Sequence, residues 1–121
     1  MAHILIVEDN EDIALLYKRM FSKHETDTVN NAPAAIEYLQ TKKPDLMILD
    51  FHLSGSMGIT VLDNIRTREE LSSLPIVAIS ADDLQKEEAQ KKGVAAFMTK
   101  PIDIDQVMTT IERLLQPQPS A

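Results

Sequence analysis

The stretch Leu46-Met47-Ile48-Leu49-Asp50 decides the fold: four apolar residues without a break, then a carboxylate. A short uninterrupted apolar run is what a parallel strand covered on both faces requires. Two runs of the same kind lie on either side of it in the chain. Ile4-Leu5-Ile6-Val7 runs into Glu8-Asp9, and Ile76-Val77-Ala78-Ile79 runs into Ser80. A fourth stretch, Ala95-Ala96-Phe97-Met98, leads through Thr99 to Lys100-Pro101. Each strand-like segment thus ends in a polar residue at its carboxyl end. In an open parallel sheet, that rim is where the functional crevice lies.

Between these strands the apolar spacing turns helical. Ile13, Leu16, Tyr17, Met20 and Phe21 follow i, i+3, i+4, i+7, i+8 and predict one apolar stripe. Asn31 predicts an N-cap, with Pro33 in the first turn, for a helix burying Ala35, Ile36 and Leu39. Ile59, Leu62 and Ile65 mark a third helix, and Ile104, Val107, Ile111 and Leu114 a last one. Asp103 is placed to cap that last helix, with Gln106 at the capping-box position. Asp83 to Lys92 also reads as helical, with only Leu84 and Ala89 apolar and Gly93 as its stop. Thr26 to Asn30 predicts a polar strand suited to a sheet edge. A β-α unit repeated five times predicts an α/β fold, a parallel sheet between helices.

Size and charge narrow the function. A chain of 121 residues, 44% hydrophobic and 26% charged, fits one folded domain, expected over residues 1–116. Residues 117–121, rich in proline and without periodicity, read as a flexible tail or the start of a linker. The net charge of −7 repels phosphate backbones, and no basic run offsets it, so direct nucleic-acid binding is not expected. The absence of cysteine excludes disulfides, thiolate chemistry and cysteine zinc sites. No apolar run approaches the ~20 residues of a membrane helix, and no signal-peptide pattern opens the chain. A cytoplasmic protein without a membrane role is expected.

The strand ends together carry three carboxylates, a hydroxyl and an amine: Glu8, Asp9, Asp50, Ser80 and Lys100. Singly, each has an ordinary explanation as a helix cap, a turn residue or a surface lysine. Their joint placement at the ends of different strands favours a site. Carboxylates crowded on one rim repel unless a cation joins them, and an all-oxygen set suits Mg²⁺ or Mn²⁺. Such a rim fits a divalent cation and a phosphoryl group, with Asp50 placed to carry the phosphoryl. Other motifs fall away. His3, His24 and His52 lack metal spacing, and the three glycines Gly55, Gly58 and Gly93 make no phosphate-cradling loop.

The acidic pair Glu8-Asp9, Leu49-Asp50, Gly58, Ser80-Ala81 and Phe97-x-x-Lys100-Pro101 together resemble the receiver domain of two-component response regulators, of the chemotaxis-regulator type. The resemblance extends from Ile4 to Leu115. It implies a flavodoxin-like fold: five parallel strands in the order 2-1-3-4-5, with helices on both faces. It implies Asp50 as phosphoacceptor, with Asp9 and Asp50 ligating the metal, Glu8 acting mainly through water, and His52 offering its backbone carbonyl. Lys100 supplies a second cation, Ser80 a hydrogen bond to the phosphoryl group, and small Ala81 leaves the acceptor accessible. Ser80 and Phe97 form the switch, and the Lys100-Pro101 peptide is expected to be cis.

The function so implied is a phosphorelay module that accepts a phosphoryl group from a histidine kinase or phosphotransfer protein. It signals by a conformational switch to a protein partner at the face formed by residues 83–115, and catalyses only its own phosphorylation and dephosphorylation. The alternatives are a Mg-dependent aspartyl-phosphate hydrolase and a non-phosphorylated interaction domain of the same fold. Against the hydrolase, Asp50-Phe51-His52 lacks the second carboxylate such enzymes carry. Two positions depart from the commoner family pattern, Ser54 in place of a proline and Phe97 in place of a tyrosine, and His52 and Asp82 sit where the family adjusts phosphoryl lifetime.

Overall fold

The computed structural model describes residues 2–53 and 56–116, and the side chains of residues 52, 53, 56 and 57 lie outside that description. Five strands form one parallel sheet: β1 (His3–Val7), β2 (Glu25–Val29), β3 (Leu46–Asp50), β4 (Ile76–Ser80) and β5 (Ala96–Thr99). Their order is β2-β1-β3-β4-β5, the arrangement the resemblance implied. Five helices follow the strands: α1 (Glu11–Met20), α2 (Ala32–Thr41), α3 (Gly58–Arg66), α4 (Lys86–Lys91) and α5 (Ile104–Leu115).

Alternate residues of the central strands face opposite helix layers, which is why their apolar runs are unbroken. Leu5, Val7, Met47, Leu49 and Ala78 pack with Ala35, Leu39, Leu62 and Ile65 of α2 and α3. Ile4, Ile6, Ile48, Val77 and Ile79 pack with Tyr17 of α1, with Phe21 just past its end, and with Val107 and Ile111 of α5. Caps fix where the helices begin. Asn31 accepts from the Ala34 N–H at 2.8 Å, and Asp103 from the Gln106 N–H at 3.1 Å, as their spacing predicts. Asn10 does the same for α1, accepting from Asp12 and Ile13. Gly93, at φ +82°, ends α4 in the left-handed conformation that glycine adopts without strain.

The structure corrects the sequence expectation in three places. The predicted helix from Asp83 to Lys92 is helical only over Lys86–Lys91. Residues 81–85 form a bend and turn instead, because the Asp82 carboxylate accepts the Leu84 N–H at 3.0 Å and competes with helical bonding. Leu84 is left 85% exposed, so Ala89 alone is buried on this helix. Leu16 and Ile104, placed on core stripes by spacing, are 37% and 44% exposed, since Tyr17, Phe21, Val107 and Ile111 fill those faces. After β3 there is also an unpredicted hairpin, His52–Leu53 against Ser56–Met57. Ser54 and residues 117–121 lie outside the described residues.

Candidate functional site

Register places the site. Val7 pairs with Leu49, Asp50 with Ile79, and Ser80 with Thr99, so the carboxyl ends of β1, β3, β4 and β5 finish side by side. The backbone continues the alignment past the strands. Glu8 N–H donates to Val29 O at 3.0 Å, Phe51 N–H to Ile79 O at 2.9 Å, and Lys100 N–H to Ser80 O at 2.7 Å. Glu8, Asp50 and Ser80 are at most 3% exposed, whereas Asp9 and Lys100 are half-buried. The sequence-predicted residues therefore meet at one rim.

Oxygens of Glu8, Asp9 and Asp50 lie within 4.8 Å of one another. Lys100 Nζ donates to Asp50 Oδ2 at 3.3 Å. Glu8 Oε2 accepts the Asn10 N–H at 3.2 Å, while Oε1 is buried without a hydrogen-bond partner. A buried carboxylate oxygen with no donor is costly. Two species can relieve it: a proton shared with Asp50, or a cation. The first accounts for the Glu8 carboxyl, which burial, and then the hydrogen bond to Asp50, push up to about 8. The second is equally suited chemically, because three hard oxygen donors at a half-open rim match the preferences of Mg²⁺. The same negative field extends to buried Tyr17 on α1, whose phenol is raised first by burial and then by Glu8 and Asp50.

Backbone packing holds Asp50 in place. A Cβ on Gly58 would stand 2.7 Å from the Asp50 carbonyl oxygen and 2.7 Å from the Phe51 ring, so only glycine fits there. Phe51 is fully buried and meets Phe97 edge-to-face, with ring centroids 5.7 Å apart at 83°. Phe97 thus rests against the residue that follows Asp50. Sequence inspection singled out Phe97 but missed Phe51, although Phe51 extends the apolar run of β3 by one position past the carboxylate. The Ser80 hydroxyl accepts the Asp82 N–H at 3.4 Å, which turns the chain into the segment before α4. Lys100-Pro101 is cis, as expected. Of His52, the backbone lies in the hairpin directly after Phe51, while its side chain is outside the described residues.

The model of the response regulator receiver domain matches residues 4–112, and the chain belongs to that family. The polar-differentiation response regulator DivK of Brucella anthropi is 28% identical over 116 residues, which cover 93% of this chain and 94% of DivK. Among solved structures, a sensor protein from Polaromonas sp. JS666 superimposes with a TM-score of 0.84 at 29% identity, covering 93% of this chain and 94% of that one. The receiver domain of a sensor histidine kinase from Pseudomonas aeruginosa, solved with a magnesium ion coordinated in its active-site cleft, gives a TM-score of 0.84. It covers 94% of this chain and 97% of its own, and at 22% identity the likeness concerns the fold alone. The chain is a receiver domain of the two-component response regulators. No helix among the described residues is long and apolar enough to cross a membrane.

Proposed function

We propose that Asp50 is the phosphoacceptor of this receiver domain and that Glu8, Asp9, Ser80 and Lys100 serve the transfer. The observation that carries this is the Lys100–Asp50 contact of 3.3 Å inside a rim of three carboxylates. A carboxylate held against an ammonium is fixed in direction, as a nucleophile toward phosphorus must be. In the transfer, an Asp50 oxygen bonds to phosphorus while the bond from phosphorus to the donor's imidazole nitrogen or acyl oxygen breaks. Lys100 then neutralises charge on the phosphoryl oxygens, and the Ser80 hydroxyl donates to one of them. Glu8, Asp9, Asp50 and the His52 carbonyl would hold Mg²⁺ or Mn²⁺. That ion supplies neutralisation of the clustered charge and of the incoming phosphoryl group.

The donor is a histidine kinase or a phosphotransfer protein, and the chain acts catalytically only on its own phosphorylation and dephosphorylation. The answering surface is the segment after Ser80, the strand around Phe97 and α5, within residues 83–115. Signalling follows from the same contacts that hold the phosphoryl group. When Ser80 donates to it, the bond from Asp82 N–H to the Ser80 oxygen weakens, and the 81–85 turn is released. The test is intact-mass analysis after acetyl phosphate and Mg²⁺. One phosphoryl group on the wild type and none on Asp50→Asn is expected. Equal labelling of both would remove Asp50 from this role, and turnover of a generic phosphomonoester would favour the hydrolase.

A further inference from the structure

The outer face of α1 carries side chains in a fixed order. Ala14 and Tyr17 are buried against the domain, which turns Leu15 outward. At about 3.6 residues per turn, Glu11, Asp12, Lys18 and Arg19 all fall within about 60° of Leu15. All five are exposed. From the start of the helix the face reads acid, acid, leucine, base, base.

The helix dipole favours acid in the first turn and base in the last, but it gives no reason for an exposed leucine between them. Nor do the charges serve one another. Acid and base are seven residues apart, which is about 10 Å along the axis. Side chains on one helix meet at spacings of three or four. Among the described residues, the side chains of Glu11, Asp12 and Arg19 make no hydrogen bond or ion pair, and Lys18 reaches only the Thr26 carbonyl, at 3.4 Å. Leu15 is 46% exposed. Beside it, Leu16 and Ile104 line a cleft of about 310 Å³ between α1 and the start of α5. These are three of the four large hydrophobics left exposed among the described residues, and such clustering marks an interaction surface.

We infer that this face pairs with the same face of a second copy of the chain, the two α1 helices running antiparallel about a twofold axis at Leu15. Glu11 then faces Arg19 of the partner subunit, and Asp12 faces Lys18 of the partner subunit. Symmetry makes each contact twice, and the two Leu15 side chains meet at the axis. A parallel pairing would set acid against acid and base against base, so the order of the charges selects one orientation. Because α1 starts two residues after Asp9, the two carboxylate rims lie at opposite ends of the pair and both stay open. The contact is little more than one short helix face, and a charge of −7 on each copy opposes approach. Association is therefore weak and reversible, with Kd between about 10 μM and 1 mM. None of this depends on the role of Asp50.

The experiment is sedimentation equilibrium of the full chain at low ionic strength, up to about 1 mM, with the fold of each variant followed by circular dichroism. The wild type should dimerise. Glu11→Lys with Asp12→Lys makes the face wholly basic, and Lys18→Glu with Arg19→Glu makes it wholly acidic. Each pair of changes should raise the dimer Kd about tenfold or more, because like charges then meet. An equimolar mixture of the two variants should form a heterodimer. All four changes together should restore the homodimer, a result that parallel pairing does not give. Leu15→Ser should weaken the dimer without altering charge. A wild type that stays monomeric overturns the inference and leaves the face to a different protein. A mixture that stays monomeric overturns it too, and a dimer indifferent to both reversals puts the contact elsewhere. If Glu11→Lys with Asp12→Lys fails to fold, Lys18→Glu with Arg19→Glu and Leu15→Ser still decide, since dimerisation of either as tight as the wild type overturns the pairing.

Discussion

At the scale of single residues, the tension in this domain is concentrated on Glu8. Its carboxyl is buried, one oxygen lacks a donor, and Asp50 lies beside it. Burial and Asp50 push the Glu8 carboxyl up to about 8, well above the ordinary glutamate value of 4.5. A raised carboxyl favours the protonated form in the folded state, so its contribution to stability is complete below the unfolded value. It is lost as pH climbs toward the folded value. Without divalent cation, the wild type should therefore lose stability between about pH 4.5 and pH 8. Glu8→Gln keeps the shape and removes the ionisation. In urea denaturation with EDTA at pH 8, it should be more stable than the wild type by about 1–3 kcal/mol, the cost of an uncompensated buried group. A variant equal to or weaker than the wild type at that pH would show that Glu8 is not held under strain.

At the scale of elements, what sequence made legible divides along burial. Strands β1, β3 and β4 were readable because both faces are covered, which leaves only apolar residues between their ends. The caps Asn31 and Asp103 were readable because their chemistry is local. The site residues were legible for a related reason: a carboxylate or hydroxyl closing an apolar run stands out. Helix α4 was misjudged because helical propensity was its only support. A local bond from Leu84 N–H to Asp82 prevailed where no core contact opposed it. The bonds from Arg66 to the Lys92 and Gly93 carbonyls were invisible, since these partners are supplied by the tertiary fold. The difference in anchoring is measurable. Leu84→Ala should change stability by no more than ~0.5 kcal/mol, as for an ordinary surface position. Ile111→Ala, inside the α1–α5 core, should cost about 2–5 kcal/mol. A cost at Leu84 approaching that at Ile111 would mean that the segment before α4 packs against the domain after all.

At the scale of the whole molecule, a chain of net charge −7 gathers three carboxylates at one rim, whose mutual repulsion the proposed cation would relieve. Anything that binds the folded state alone stabilises it by mass action, about 2.7 kcal/mol at a hundredfold excess over Kd. A divalent cation held at this rim, as proposed, would satisfy the same oxygens as the proton on Glu8, and the two would compete. The gain from Mg²⁺ should accordingly be small near pH 5, where the proton is bound, and should grow toward pH 8, where it leaves. Thermal unfolding with EDTA and with saturating Mg²⁺, repeated across that range, reads this directly. Asp9→Ala removes one of the three donors and should flatten the pH dependence of the Mg²⁺ effect while the fold persists, because Asp9 is the half-exposed member of the set. The contrast with Asp50→Asn is informative, since loss of a buried donor beside Lys100 also leaves the ammonium without its carboxylate. An Mg²⁺ effect of the same size at pH 5 and pH 8 would show that the cation binds elsewhere than this rim. The carboxylates would then have to be held together by protons and Lys100 alone.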